Sequence, residues 1–176
     1  MSDRVPDIDK WKKHISTLID VNEERQLSDV KNLWEYHQPE NPATEENIRY
    51  AERELGFCLA DNYRDFLLCA DGWQCFYQMV DLFGTTELIQ QTKSEKWTLA
   101  NQYIYIIDDA GVFTLSGLTP DDLYPIAVSR DDMDLFVMIK PGRSDSGTVI
   151  WYAGEEIERF SDFEDFFVCM IEYCKP

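Results

Sequence analysis

The chain has 176 residues, 44% of them hydrophobic and 14% aromatic, which fits one packed globule and argues against disorder. Its 34 acidic against 16 basic residues give a net charge of −18, which repels nucleic-acid phosphates and anionic headgroups and argues against DNA, RNA or membrane-surface binding. A basic protein is the natural complement of such a surface, although acidity also serves solubility alone.

Residues 8 to 26 read as an amphipathic helix, with Ile8, Trp11, Ile15, Leu18 and Ile19 at helical spacing and Asp7 placed to cap it. Leu27, Val30, Leu33 and Trp34 extend the helical pattern as far as Gln38-Pro39. The spacing then predicts a helix capped by Thr44, striped by Ile48, Ala51 and Leu55 and stopped by Gly56. A further helix follows, capped by Asp61 or Asn62, with Tyr63, Phe66, Leu67 and Ala70 facing inward and Gly72 ending it.

From residue 76 the period shifts toward two, predicting a strand over Phe76 to Phe83 and a helical stretch near Thr86 to Trp97. Residues 103 to 115 are ambiguous apart from a turn at Asp109-Ala-Gly111. Tyr124 to Ser129, Leu135 to Lys140 and Thr148 to Ala153 read as strands, the second apolar on both faces and therefore central. Ser161 or Asp162 caps a final helix carrying Phe163, Phe166, Phe167, Met170 and Tyr173. Helices first, strands second and a closing helix indicate an α+β fold with a mostly antiparallel central sheet. Residues 1–36 are expected to form a helical extension packed on a core of residues 38–176, one compact domain overall.

The five cysteines, Cys58, Cys69, Cys75, Cys169 and Cys174, are odd in number, form no Cys-x-x-Cys and sit mostly among apolar neighbours, as small buried hydrophobes do. With only His14 and His37 available, neither spaced for ligation with a Cys, no zinc site is expected. The opening Met-Ser-Asp-Arg carries no apolar leader and no run approaches 18 apolar residues, so a reduced, cytoplasmic setting is expected.

The run Asn41-Pro-Ala-Thr-Glu-Glu-Asn-Ile-Arg-Tyr-Ala-Glu-Arg-Glu-Leu-Gly-Phe57 resembles the opening signature of the SUKH superfamily, whose best-known branch is the Smi/Knr family. Leu59-Ala-Asp-Asn-Tyr63-Arg-Asp-Phe66, Asp71-Gly72-Trp73, Tyr124-Pro-Ile-Ala-Val-Ser129, Val149-Ile-Trp-Tyr152 and Phe160-Ser-Asp-Phe163-Glu-Asp-Phe166 follow in the family's order. Asn47 stands where the family usually has a capping Glu, Ala60 where it has Pro, and Asp71 where it has Asn. The resemblance implies a non-catalytic module without cofactors. Bacterial members act as immunity proteins that bind and neutralise a toxin domain, often a nuclease, and fungal members as scaffolds in cell-wall signalling.

The residues agree in offering little chemistry. His14 lies on a charged helix flank and His37 before a proline, and the glycines are scattered singly, so neither a catalytic triad nor a phosphate loop is present. Asp131-Asp132-Met133-Asp134 and Asp108-Asp109 do not match a calcium loop and read as solvated turns. An interface is the alternative. If the strands after Asp131, Asp132 and Asp134 and before Glu155 and Glu156 are antiparallel neighbours, these acids meet at one sheet end beside Trp151. The bland reading makes Trp151 core and the carboxylates merely solvated. Asp71 and Trp73 form a second candidate, with Trp73 packed beneath the sheet and Asp71 open to a partner. A basic toxin domain bound by a monomer or weak homodimer is the expected partnership.

Overall fold

A computed structural model describes residues 4–176. Helix α1 spans Ile8–Ser28, capped by the Asp7 carboxylate on Lys10 N, and buries Trp11, Ile15, Leu18 and Val21. It packs against the helices at Asp61–Leu67 and Phe163–Cys174. The helix does not continue through Leu33 and Trp34 as their spacing suggests. The Asp29 carboxylate accepts from the backbone N–H groups of both residues, 2.9 and 3.1 Å away, which a helix would need for its own ladder. Leu27, Val30 and Leu33 are left 84%, 86% and 65% exposed.

Helix α2, Glu45–Leu55, has the predicted Thr44 cap and ends on Gly56, whose φ of +81° suits glycine. Helix α3, Asp61–Leu67, begins without any side-chain cap, so neither Asp61 nor Asn62 plays that part. The expected single strand over 76–83 is two, β1 Trp73–Tyr77 and β2 Val80–Leu82, because the chain reverses at Gln78 with φ +50°. The expected helical stretch near 86–97 is also divided. Helix α4, Thr85–Ile89, stops, and Ser94 caps a new helix α5, Glu95–Asp109, which absorbs the ambiguous segment as far as Asp109. Gly111 turns the chain into α6, Val112–Leu115.

Strands β3 Leu123–Ser129, β4 Asp134–Ile139, β5 Val149–Ala153 and β6 Glu156–Phe160 precede α7, Phe163–Cys174, which Asp162 caps. The six strands lie in chain order, each antiparallel to the next. The fold is thus α+β, with β4 inside the sheet and buried on both faces from Leu135 to Ile139. One face of the sheet carries the larger core, in which Trp11, Tyr63 and Phe66 of the helices meet Phe136, Phe163, Phe166 and Phe167. Ile104, Ile107 and Phe113 cover the other, against Leu135, Val137, Ile150 and Tyr152. Among the described residues no helix is long and apolar enough to cross a membrane.

Candidate protein-interaction surface

Strand register sets the first candidate. Asp134 pairs with Ala153, so the β3–β4 turn and the β5–β6 turn lie at the same sheet end. Asp131, Asp132 and Glu155 on these turns are exposed. The Tyr103 hydroxyl holds the first turn by donating to the Asp132 carbonyl at 3.0 Å.

Beside these acids, Trp151 is half-buried and stacks on Phe136, with centroids 5.2 Å apart and planes at 22°. Tyr77 and Tyr173 meet its ring edge-on at 6.1 and 5.7 Å. The indole Nε1 donates to Asp134 Oδ1 at 2.8 Å, and the Tyr173 hydroxyl donates to Glu158 Oε2 at 2.7 Å. Burial pushes the Asp134 carboxyl above its ordinary pKa, against the opposing effect of the indole donor. The hydrogen bond to Glu158 raises the Tyr173 phenol. The result is an amphipathic aromatic cluster rimmed by two carboxylates, a common anatomy for a protein interface.

Glu156 is not part of it. Its carboxylate accepts from Ser116 Oγ at 2.6 Å, on the α6 side of the sheet, whereas Trp151 and Phe136 face α7. Arg159 pairs with Glu156 and holds its pKa below the ordinary range. The single negative patch expected from the sequence is therefore divided between two faces, because Tyr152, opposite Glu156, and Trp151, opposite Glu158, point opposite ways.

Trp73 is 1% exposed and donates from Nε1 to the His37 carbonyl at 2.8 Å, so it offers a partner no surface. Asp71 is half-buried and occupied, and here the expected openness to a partner needs correction. Its two oxygens accept from Thr85 N at 2.6 Å and Thr85 Oγ1 at 2.7 Å, tying down the start of α4. Asp71 lines a polar cleft of about 340 Å³ with Glu40, Glu87 and Lys96.

Two features escaped the sequence reading. Tyr173 is 49% exposed, since Cys174 rather than Tyr173 completes the inward stripe of Phe163, Phe167 and Met170. The outer side of α5 forms an open apolar groove of about 690 Å³, lined by Trp97, Asn101, Tyr105 and Ile106. The signal lay in Tyr105 and Ile106, in a segment whose periodicity is ambiguous between helix and strand.

For chemistry, the one close approach of thiol, imidazole and carboxylate among the described residues is Cys75, His37 and Glu35. It lacks the form of an activated nucleophile. Burial pushes the Cys75 thiol up to about 11, and His37 presents the same Nε2 atom to Glu35 that a thiol would need.

The sequence model of the SMI1 / KNR4 family (SUKH-1) matches residues 42–168, from the loop before α2 into α7. No curated protein matches the chain.

Proposed function

This chain belongs to the SMI1 / KNR4 family (SUKH-1), and from that premise we propose that it is an immunity protein which binds and neutralises a basic, nuclease-type toxin domain by occlusion. The observation that carries this reading is the half-exposed Trp151, bonded to Asp134 and flanked by Tyr173 and Glu158. Exposed Asp131, Asp132 and Glu155 extend the negative field from the neighbouring turns. A net charge of −18 steers a basic domain in, with association approaching about 10⁸ M⁻¹s⁻¹ at low salt. Neutralisation inside a cell calls for nanomolar affinity, about −12 kcal/mol, more than charge alone supplies. Trp151 and Tyr173 would add the desolvated contact. The carboxylates would occupy the positions that substrate phosphates take on the toxin, a role that asks binding and no chemical step of this protein.

The test is co-expression with each candidate toxin domain encoded beside this gene. A stable complex and protected cells are expected, both lost on Trp151→Ala. Failure to protect against every neighbouring toxin rejects the reading.

A regulatory scaffold of the same family is the second reading. The apolar α5 groove, with Tyr105 71% exposed, favours it, since such a groove suits an apolar segment rather than a basic nuclease. A partner captured by the groove and lost on Tyr105→Ala, with no toxin bound, would decide for it.

A further inference from the structure

The connector from Asp29 to Thr44 has no regular structure and runs beside the edge strand β1. Trp73 Nε1 holds the His37 carbonyl, and Glu40 N donates to the Gly72 carbonyl at 3.0 Å. These bonds bring His37 and Glu35 over Cys75. There β1 bulges, Cys75 takes φ +51°, and its N–H turns to Asp81 Oδ1 at 2.8 Å.

His37 Nε2 lies 3.1 Å from Glu35 Oε2, and Cys75 Sγ lies 3.9 Å from the same oxygen. All three atoms fall within 4.8 Å of one another. A cation already sits among them. The Arg130 guanidinium reaches Cys75 Sγ at 3.1 Å, Glu35 Oε2 at 3.4 Å and Asp81 Oδ2 at 3.5 Å. Asp81 is fully buried, and its Oδ2 receives no hydrogen bond, facing only the charges of Arg130 and Lys96, each 3.5 Å away. Such a buried, half-satisfied carboxylate is costly unless a cation stands close.

We propose that Glu35, His37 and Cys75 form a binding site for Zn²⁺ or a similar thiophilic divalent ion, with the Arg130 guanidinium holding the cation's place in its absence. Tetrahedral zinc sets its ligand atoms roughly 3.2–3.8 Å apart, so the observed spacings need small adjustments that the exposed Glu35 and His37 can make. Thiolate and imidazole select zinc over calcium or magnesium. On binding, the Cys75 S–H bond breaks and its proton leaves to solvent. Two anionic ligands then neutralise the ion, and Arg130, 37% exposed on the β3–β4 turn, swings outward. The fourth vertex is left to water or to Asp81 Oδ2. The bound ion would clip the connector to the sheet edge, and because its ligands meet only in the folded chain, the binding energy would add to folding stability.

Co²⁺ titration of the full chain under a non-chelating phosphine reductant tests the site. The expected result is a thiolate-to-cobalt charge-transfer band that Zn²⁺ displaces and Cys75→Ser abolishes. His37→Ala, at an exposed side chain, should weaken binding tenfold or more, and Arg130→Gln should tighten it. Absence of the band overturns the proposal, as does its persistence in Cys75→Ser, which would assign it to another thiol such as exposed Cys58. If Cys75→Ser fails to fold, His37→Ala decides, and unchanged affinity there overturns the site.

Discussion

Trp151 and Asp134 are joined by an indole-to-carboxylate hydrogen bond of 2.8 Å that crosses the β4–β5 pair diagonally. The bond makes a single unit of a half-exposed aromatic ring and an acid partly withdrawn from water. Each depends on the other, since without Asp134 the indole N–H would lose its acceptor and without Trp151 the carboxylate would lose its donor.

This unit separates stability from binding. Burial raises the Asp134 pKa, so the charge costs stability above the folded pKa, and that cost disappears as the pH falls below the ordinary carboxylate value near ~3.9. Asp134→Asn keeps an oxygen to accept from the indole and removes the charge. The variant is expected to melt at or above the parent's temperature at pH 7, by up to about 3 °C for a gain near 1 kcal/mol. Its affinity for a basic partner should nevertheless fall. Calorimetric melting beside surface-plasmon affinity reads both; a loss of both together would show that the bond is structural alone.

The bond that fastens α1 to α7 carries the opposite sign. Burial works against the Glu164 carboxylate, but hydrogen bonds from His14 and Lys10, each 3.0 Å, outweigh it and hold its pKa below the ordinary range. A depressed folded pKa contributes stability above the unfolded value, lost as the pH falls through the folded value. Below pH ~4 the α1–α7 contact should therefore loosen first. Trp11, wedged between Phe66, Phe163 and Phe167, is the reporter. Its near-ultraviolet signal is expected to drop in acid in the parent, and to change much less over the same range in Glu164→Gln.

Much of this architecture could be read locally. Thr44 and Gly56 bracket α2 because caps and left-handed stops act within a few residues, and Leu135 to Ile139 announces a central strand by being apolar throughout. What escaped depends on distant partners. Strand β6 reads Glu-Ile-Glu-Arg-Phe, and its charges are tolerated because Glu156 and Arg159 pair with each other while Glu158 meets Tyr173. Asp29 ends α1 through a carboxylate bond that apolar spacing does not encode. The Cys75 and Glu35 side chains lie 40 positions apart, so a search for ligands by spacing passes over them. Trp73 is buried, as its expected packing beneath the sheet requires, but the connector that covers it and accepts its indole N–H at His37 lies 36 positions away and is not legible from spacing.

Tyr63 tests the buried polar part of the core. Its hydroxyl donates to the Phe83 carbonyl at 2.8 Å from a fully buried position. Tyr63→Phe leaves that carbonyl without this donor, which costs about 1–3 kcal/mol. Urea unfolding should show the midpoint falling with an unchanged slope. An unchanged midpoint would mean that water replaces the hydroxyl.

The close approach between Asp71 and Gly84 decides what Asp71 is for. A Cβ at Gly84 would lie 2.1 Å from the Asp71 carbonyl oxygen and 2.7 Å from its Oδ1, contacts the backbone cannot relieve without moving. Gly84→Ala is therefore expected to cost more than ~3 kcal/mol, or to prevent folding, by forcing apart the loop before β1 and the start of α4. Asp71→Ala keeps the backbone approach and removes the acceptors of Thr85 N and Oγ1, costing about 1–2 kcal/mol as lost helix caps do. Both losses are in stability. If Asp71 serves the helix and not a partner, the folded fraction of Asp71→Ala should bind with the parent's affinity, whereas the folded fraction of Trp151→Ala should bind at least 30-fold more weakly. Equilibrium binding at a temperature where both variants are folded separates the roles, and a large affinity loss in Asp71→Ala would return that residue to the interface.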